Sequence, residues 1–419
     1  MTTFMLAWQS IGNRRTTALL SVFAIALSIT LFLGVERMRI GAKSSFTNTI
    51  SGTDLIVGTR AGSVQLLLYS VFRIGNATSN ISMDSLDAIE ARDDVAWVVP
   101  ISLGDSHRGY RVMGTSNDYF EHYRYRNKQP LGFSGGQRFE DLFDVVIGAE
   151  IAQQLDYQIG SSVIISHGIG AIGGNKHDDM PFKVSGILQR TGTPVDRTVH
   201  VSLAALEAIH LDWENGSPSS SFRLSADQVR DLDLQPSTVT AALVGTRTRF
   251  GIFQVQRFVN EFKNEPLTAV LPGVALQELW SIVGVAETAL TAVSAMVVLT
   301  AILGMVTMIL STLNERRQEI AILRSIGAHT GTIFSLLMLE AVILAAGGIL
   351  LGTGLLYALL FVINPWIEQG YGLYLAIEAP SLYELKLMGS ILVIACVVGT
   401  VPALRAYRQS LVDGMSVQR

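Results

Sequence analysis

Four stretches of this 419-residue chain, 16–35, 281–313, 331–363 and 385–404, are apolar for long enough to cross a lipid bilayer. Each reaches the roughly 20 residues that span about 30 Å of hydrocarbon. Inside hydrocarbon a single segment satisfies its own backbone only as a helix, so the chain is restricted to an α-helical membrane fold. The four stretches are unevenly placed. Residues 36–280, between the first and second, have ordinary mixed polarity and are numerous enough to build a core of their own. Composition agrees, since 49% hydrophobic and 16% charged residues exceed the apolar balance of a soluble domain. The first stretch is not a secretory signal. Its apolar core is too long, no small-x-small cleavage site follows Gly34, and three more spans come later.

The expected order is an interfacial helix over 1–15, a span over 16–35, a large α+β domain over 36–280 and a span over 281–313. A short charged helix over 314–330, a span over 331–363, a loop over 364–384, a span over 385–404 and a tail over 405–419 follow. Basic residues set the orientation. Arg14 and Arg15 precede the first span, Arg316, Arg317 and Arg324 lie between the second and third, and Arg405, Arg408 and Arg419 follow the fourth. The 364–384 loop carries no basic residue. Both termini and the 314–330 turn are therefore expected in the cytoplasm, with the large domain on the far side. The one cysteine, Cys396, falls in the fourth span, so the large domain must hold together without disulfides. A net charge of −4 with no basic stripe argues against nucleic acid as a partner.

Within the large domain short strands and helices alternate. Residues 53–58 and 95–101 read as strands around a helix at 84–92, a βαβ unit. A strand at 144–148, a helix at 149–155, strands at 161–166 and 182–188 and a helix at 204–210 form a second unit. Ser, Pro and Asp enrichment over 216–240 marks a loop, and 250–261 reads as a helix returning toward the membrane. Gly168 to Gly173 spells G-x-G-x-x-G, but Gly174, Asn175 and Pro181 prevent a helix from following it, so a hairpin loop is expected there. No G-x-x-x-x-G-K-[ST] phosphate loop occurs. His167, His177 and Asp178 are weak metal candidates whose spacing fits no compact motif, so no metal is expected, and His200 and His210 read as structural. The 190–200 segment, with Pro194 beside Asp196 and Arg197, is expected to order the start of a strand.

Two acids interrupt apolar spans, Glu287 near the outer end of the second and Glu340 in the third, and an acid in hydrocarbon needs a partner or water. A structural or coupling role is expected for both ahead of a proton-relay role, with Arg324 or another basic group within reach of Glu340. Gly348 and Gly352 form a G-x-x-x-G face suited to close helix contact, within the protomer or across a dimer.

The 314–329 segment, NERRQEIAILRSIGAH, is short, charged and amphipathic, with Ile322, Leu323 and Ile326 as an apolar anchor inside a charged rim. A loop that only fixed topology would need basic residues but not paired glutamates. Glu315, Arg316, Glu319, Ile320, Leu323, Arg324, Gly327 and Ala328 match the Glu-Arg-x-x-Glu-Ile-x-x-Leu-Arg-x-x-Gly-Ala run of the FtsX and MacB-like permeases. Residues 7–20, 52–58, 111–120, 145–160 and the Pro402-Ala403 close of the last span also resemble that family, in order along nearly the whole chain.

The resemblance implies the permease subunit of an ABC transporter, working as a dimer with itself or a homologous permease. Its 314–330 helix would be gripped by a cytoplasmic ABC ATPase dimer that carries Mg-ATP, so no cofactor and no catalytic residue is expected in this chain. The bacterial inner membrane is the expected location, with membrane lipid and a periplasmic or outer-membrane protein as further partners. Export or extraction of a lipoprotein, lipid or amphiphile is the leading expectation. An FtsX-like regulator of a periplasmic cell-wall hydrolase and a membrane-anchored binding receptor are the alternatives. An enzyme fits least, because no Ser-His-Asp, Cys-His or paired-acid constellation stands out.

Overall fold

The computed structural model describes residues 14–168, 180–211, 234–312, 327–371 and 377–415, with short pieces between 5 and 12 and between 213 and 232. Two compact units emerge, one built from the span helices and the other holding most of residues 42–283. Among the described residues, four helices are long and apolar enough to cross a membrane. They run Arg15–Asn48, Pro272–Thr312, Thr330–Tyr371 and Leu382–Met415. All four outrun the apolar stretches that announce them, because hydropathy marks where lipid touches a helix and not where its hydrogen bonding stops. The third continues through Pro365.

The α+β unit is organised on one sheet. Its principal strands are β1 (Leu55–Thr59), β2 (Val95–His107), β3 (Tyr110–Thr115), β4 (Phe133–Gly136) and β5 (Asp144–Ile147). They continue as β6 (Phe182–Leu188), β7 (Thr198–Ser202), β8 (Ala241–Thr246) and β9 (Leu267–Val270). The spatial order is β9-β1-β8-β2-β3-β7-β5-β6-β4. Only β3 with β7 and β5 with β6 pair in parallel along it. The expected βαβ unit is corrected here. β8 lies between β1 and β2 and is antiparallel to both, so the unit is split. Every residue of β1 is buried, as a strand covered on both faces requires. The single strand expected at 161–166 is two short ladders, Ser162–Val163 on β6 and Ser166–His167 on β2.

Helices start where a hydroxyl is ready to cap them. Ser82, Ser202 and Thr248 each accept a backbone N–H from three residues ahead, at the starts of Met83–Glu90, Leu203–His210 and Arg249–Asn260. Apolar side chains of the first and third of these helices, Leu86, Ile89, Val255 and Val259, pack on Leu55, Val57 and Val244. Leu203–His210 instead closes a second cluster over Val145, Ile147 and Val199. The 190–200 segment behaves as expected. Asp196, 3% exposed, accepts Thr191 N–H, Thr191 Oγ1–H and Gly192 N–H at 2.8 Å each, fixing the turn before β7.

His200 on β7 is fully buried, and its Nδ1 donates to the Val146 carbonyl at 3.1 Å. Burial first, then the nearby Arg73 charge, lowers its pKa to about 3. An unfolded chain regains an imidazole of pKa about 6.5. As pH falls below that value the unfolded state takes up a proton that the folded state refuses, so stability declines until the folded pKa is reached. Denaturant unfolding followed by tryptophan fluorescence should show a loss of up to about 1.4 kcal/mol per pH unit from this residue below about pH 6.5. His200→Gln should flatten that slope. An unchanged slope in the variant would mean that His200 is not the group responsible.

Candidate functional site

Of the eight residues that carry the amphipathic turn, Glu315, Arg316, Glu319, Ile320, Leu323 and Arg324 lie outside the described residues. Gly327 and Ala328 are described. Gly327 takes φ 94°, a left-handed turn that glycine adopts without strain, just before the third span helix begins.

The glycine face of that helix packs against the first span helix within the same chain. A Cβ on Gly348 would stand 2.5 Å from Ile25 Cγ2, and one on Gly352 would stand 2.5 Å from the Ala26 carbonyl oxygen and 3.0 Å from Ala26 Cα. Thr30 Oγ1 donates to the Gly352 carbonyl at 2.9 Å, a polar clasp across the seam. Gly399 of the fourth span helix presses on Ala341 of the third in the same manner. Small residues thus bring these backbones close enough for dispersion to act in a solvent where apolar burial gains nothing.

Around one end of these helices runs a lattice of charge. Arg39 bonds Glu36 at 2.7 Å and also pairs with Glu287 of the second span helix. Arg37 pairs with Glu384 of the fourth at 2.6 Å and donates to Tyr357 Oη of the third at 3.2 Å. Glu384, 2% exposed, has a second task, because Ser381-x-x-Glu384 is a capping box. Its Oε2 accepts Ser381 N–H at 2.7 Å, and Ser381 Oγ accepts Glu384 N–H at 3.2 Å. The first helix is therefore tied to each of the other three. Glu287, one of the two acids expected to be structural or coupling residues, belongs to this lattice. Glu340 is 5% exposed in the third helix, while its expected partner Arg324 is outside the described residues.

Sequence reading missed Glu36, Arg37 and Arg39 because it ended the first helix at Val35. The signal was the E-R-M-R run itself, which an apolar helix carries out of the membrane with Arg37 and Arg39 on nearly opposite faces. Between the first and second helices an open groove of about 800 Å³ is lined mainly by apolar side chains, among them Leu20, Ala24 and Leu27 facing Val293, Met296 and Val297.

In the α+β unit, Ser63 Oγ donates to Glu278 near the start of the second span helix, in the 278–280 segment. His200 is a satisfied core residue on one nitrogen, as the structural expectation had it. His210 converges with His167 on Asp105, with His167 Nδ1 and His210 Nε2 at 3.2 and 3.5 Å from the carboxylate oxygens. Burial favours the neutral acid, but the two imidazoles outweigh it and hold Asp105 down to about 2. The other two weak metal candidates, His177 and Asp178, lie outside the described residues.

Comparison with known proteins returned two family models. The model described as MacB-like periplasmic core domain matches residues 18–243, more than half of the chain, and the FtsX-like permease C-terminal model matches 291–411. No curated protein matches in sequence. Among solved structures, the periplasmic region of MacB from Actinobacillus actinomycetemcomitans is similar at 10% identity and a TM-score of 0.33, over 55% of this chain and 94% of that one. The extracellular domain of a noncanonic ABC-type transporter, YknZ, from Gram-positive bacteria is similar at 12% identity and a TM-score of 0.31, over 52% and 98%.

Two substitution tests follow from the seam and the lattice. Gly352→Ala should lower stability by about 1–3 kcal/mol, because the backbone it meets has nowhere to go. Gly347→Ala, whose Cβ would meet Val22 at 3.8 Å, should be tolerated. Equal thermal midpoints for the two variants in detergent would refute the close seam. Arg39→Gln and Glu287→Gln should each destabilise, and a double-mutant cycle should return a coupling of about 1–3 kcal/mol. Additive effects would show that the pair does not hold the first two helices together.

Proposed function

The chain belongs to the FtsX-type permeases with a MacB-like periplasmic core domain, and on that premise we propose that it is the membrane subunit of an ABC transporter that turns a partner's ATP hydrolysis into movement of its α+β domain. The observation that carries the reading is the second span helix. It starts two residues after β9, the last strand of the sheet, and runs without interruption from Pro272 to Thr312. At 1.5 Å per residue its 41 residues make a rod about 60 Å long. A rod of that kind passes a push at one end to the other without needing a channel through the bilayer.

The remaining assignments belong to the same reading. The 314–330 segment is the coupling helix, gripped by a cytoplasmic ABC ATPase dimer in which Mg-ATP binds. Leu323 and its isoleucine neighbours fill the partner's groove, while Glu315, Arg316, Glu319 and Arg324 set its rim. Two permease chains work together, each with both termini in the cytoplasm and the α+β domain outside the inner membrane. The load is a lipoprotein, lipid or other amphiphile. The open apolar groove between the first two helices is compatible with that class.

A mild-detergent pull-down from native membranes, with an ATPase assay on the eluate, tests the reading. The parent chain should bring an ATPase with it, and Arg324→Glu or Leu323→Asp should cut both recovery and ATP hydrolysis by about tenfold or more while leaving the chain folded. Added amphiphile should stimulate hydrolysis in the parent complex. Recovery of the parent chain alone, or full ATPase recovery with both variants, would overturn the coupling-helix assignment. Stable capture of a periplasmic hydrolase without amphiphile stimulation would move the load from transport to regulation.

A further inference from the structure

We propose that Asp105, His167 and His210 form a binding site for a zinc-class divalent metal ion in the α+β domain, independent of the transport reading above. The three residues are far apart in sequence and are brought together by three elements. Asp105 is near the end of β2, His167 is its cross-strand neighbour in the Ser166–His167 ladder, and His210 ends the helix Leu203–His210. The β2–β3 register shifts between Leu103 and Ser106, which leaves Asp105 out of the pairing with β3.

The distances between donor atoms are those of a metal site. His167 Nδ1 is 3.2 Å from Asp105 Oδ1, His210 Nε2 is 3.5 Å from Asp105 Oδ2, and the two nitrogens are 3.1 Å apart. Donors bound about 2.0–2.1 Å from a tetrahedral zinc ion stand about 3.3–3.4 Å from one another. One small ion at the centre of this triangle therefore reaches all three with little rearrangement.

Three further features favour a cation over a closed hydrogen-bond network. Asp105 is 3% exposed, and its Oδ1 makes no hydrogen bond of good geometry among the described residues, although His167 Nδ1 stands 3.2 Å away. A buried carboxylate oxygen left in that condition is costly, and a bound cation removes the cost. The tautomer of His210 is fixed by its own helix. His210 Nδ1 lies 2.7 Å from the Leu206 carbonyl, which only accepts, so Nδ1 carries the proton and Nε2 presents its lone pair to the triangle. A backbone carbonyl on the outer nitrogen is the support that metal-ligating histidines ordinarily have. Finally, His167 and His210 are 44% and 31% exposed, so an ion has a way in and water has a place as fourth ligand.

Two imidazoles and one carboxylate select zinc or a similar borderline ion over calcium or magnesium, which take oxygen ligands. The bound ion would lock the end of the helix and the short ladder onto β2, beside the point where Ser106 Oγ donates to the Gly168 carbonyl.

The test is metal competition on the full-length chain in detergent, stripped with chelator and titrated with zinc against a chromogenic indicator. One site of submicromolar affinity is expected, with a tetrahedral-type visible spectrum when cobalt replaces zinc. His167→Ala and His210→Ala should each weaken binding at least about tenfold. At zinc about a thousandfold above the dissociation constant the thermal midpoint should rise by at least about 5 °C in the parent and not in the variants. His167 is exposed enough that its variant should keep the parent's circular dichroism, which separates lost binding from lost folding. Absence of a tight site in the parent, or unchanged affinity and cobalt spectrum in both variants, would overturn the assignment and leave only adventitious binding by other histidines.

Discussion

Arg39, held between Glu36 and Glu287, is the contact on which the membrane unit depends. A charge at the end of an apolar helix must reach water or an opposite charge, and this arginine reaches two carboxylates. Arg37 repeats the arrangement two residues earlier, with Glu384 as its partner. Because the two arginines are about 200° apart around the helix, they face different neighbours. One ties the first helix to the second and the other ties it to the fourth. Dispersion between small residues closes the seam at Gly348 and Gly352, but small residues alone allow sliding. The ion pairs set the register in which the seam closes, because one turn of slippage would leave charges unmatched.

The α+β unit solves a different problem, that of a sheet long enough to need cover on both faces without disulfides. Its first half buries β1 completely, with Tyr69 and Leu66 in one cluster and Ile89 and Val255 in another. Its second half gathers around Val145, Val199 and Phe182. Polar groups are admitted to this interior for turns. Asp196 is the clearest case, since three donors converge on one carboxylate to shape the approach to β7. Gly148 lets that turn sit close, as a Cβ there would stand 2.3 Å from the Val195 and Asp196 carbonyl oxygens.

What the sequence made legible and what it hid divide along the same physical line. Apolar length, capping hydroxyls and local periodicity act between near neighbours, so the four spans and the helices at 83–90, 149–155 and 203–210 were readable to within a residue or two in the α+β domain. Pairing acts between distant segments. Nothing around Ala241 announces that β8 will insert between β1 and β2, and nothing around Asp105 announces two histidines from later in the chain. The same limit kept Glu384 as a loop residue. Its capping-box spacing from Ser381 was present in the sequence, but its pairing with Arg37 was not. The glycine face was legible as a contact surface, while its partner, the first span helix, required the structure.

On the proposed reading, the second span helix is where these constraints meet. Glu278 accepts from Ser63 within the α+β unit, and Glu287 pairs with Arg39 of the first span helix. A charge pair at the end of an apolar span is a stronger hold than a hydroxyl contact in water, so the Glu287 contact is the firmer of the two on this helix.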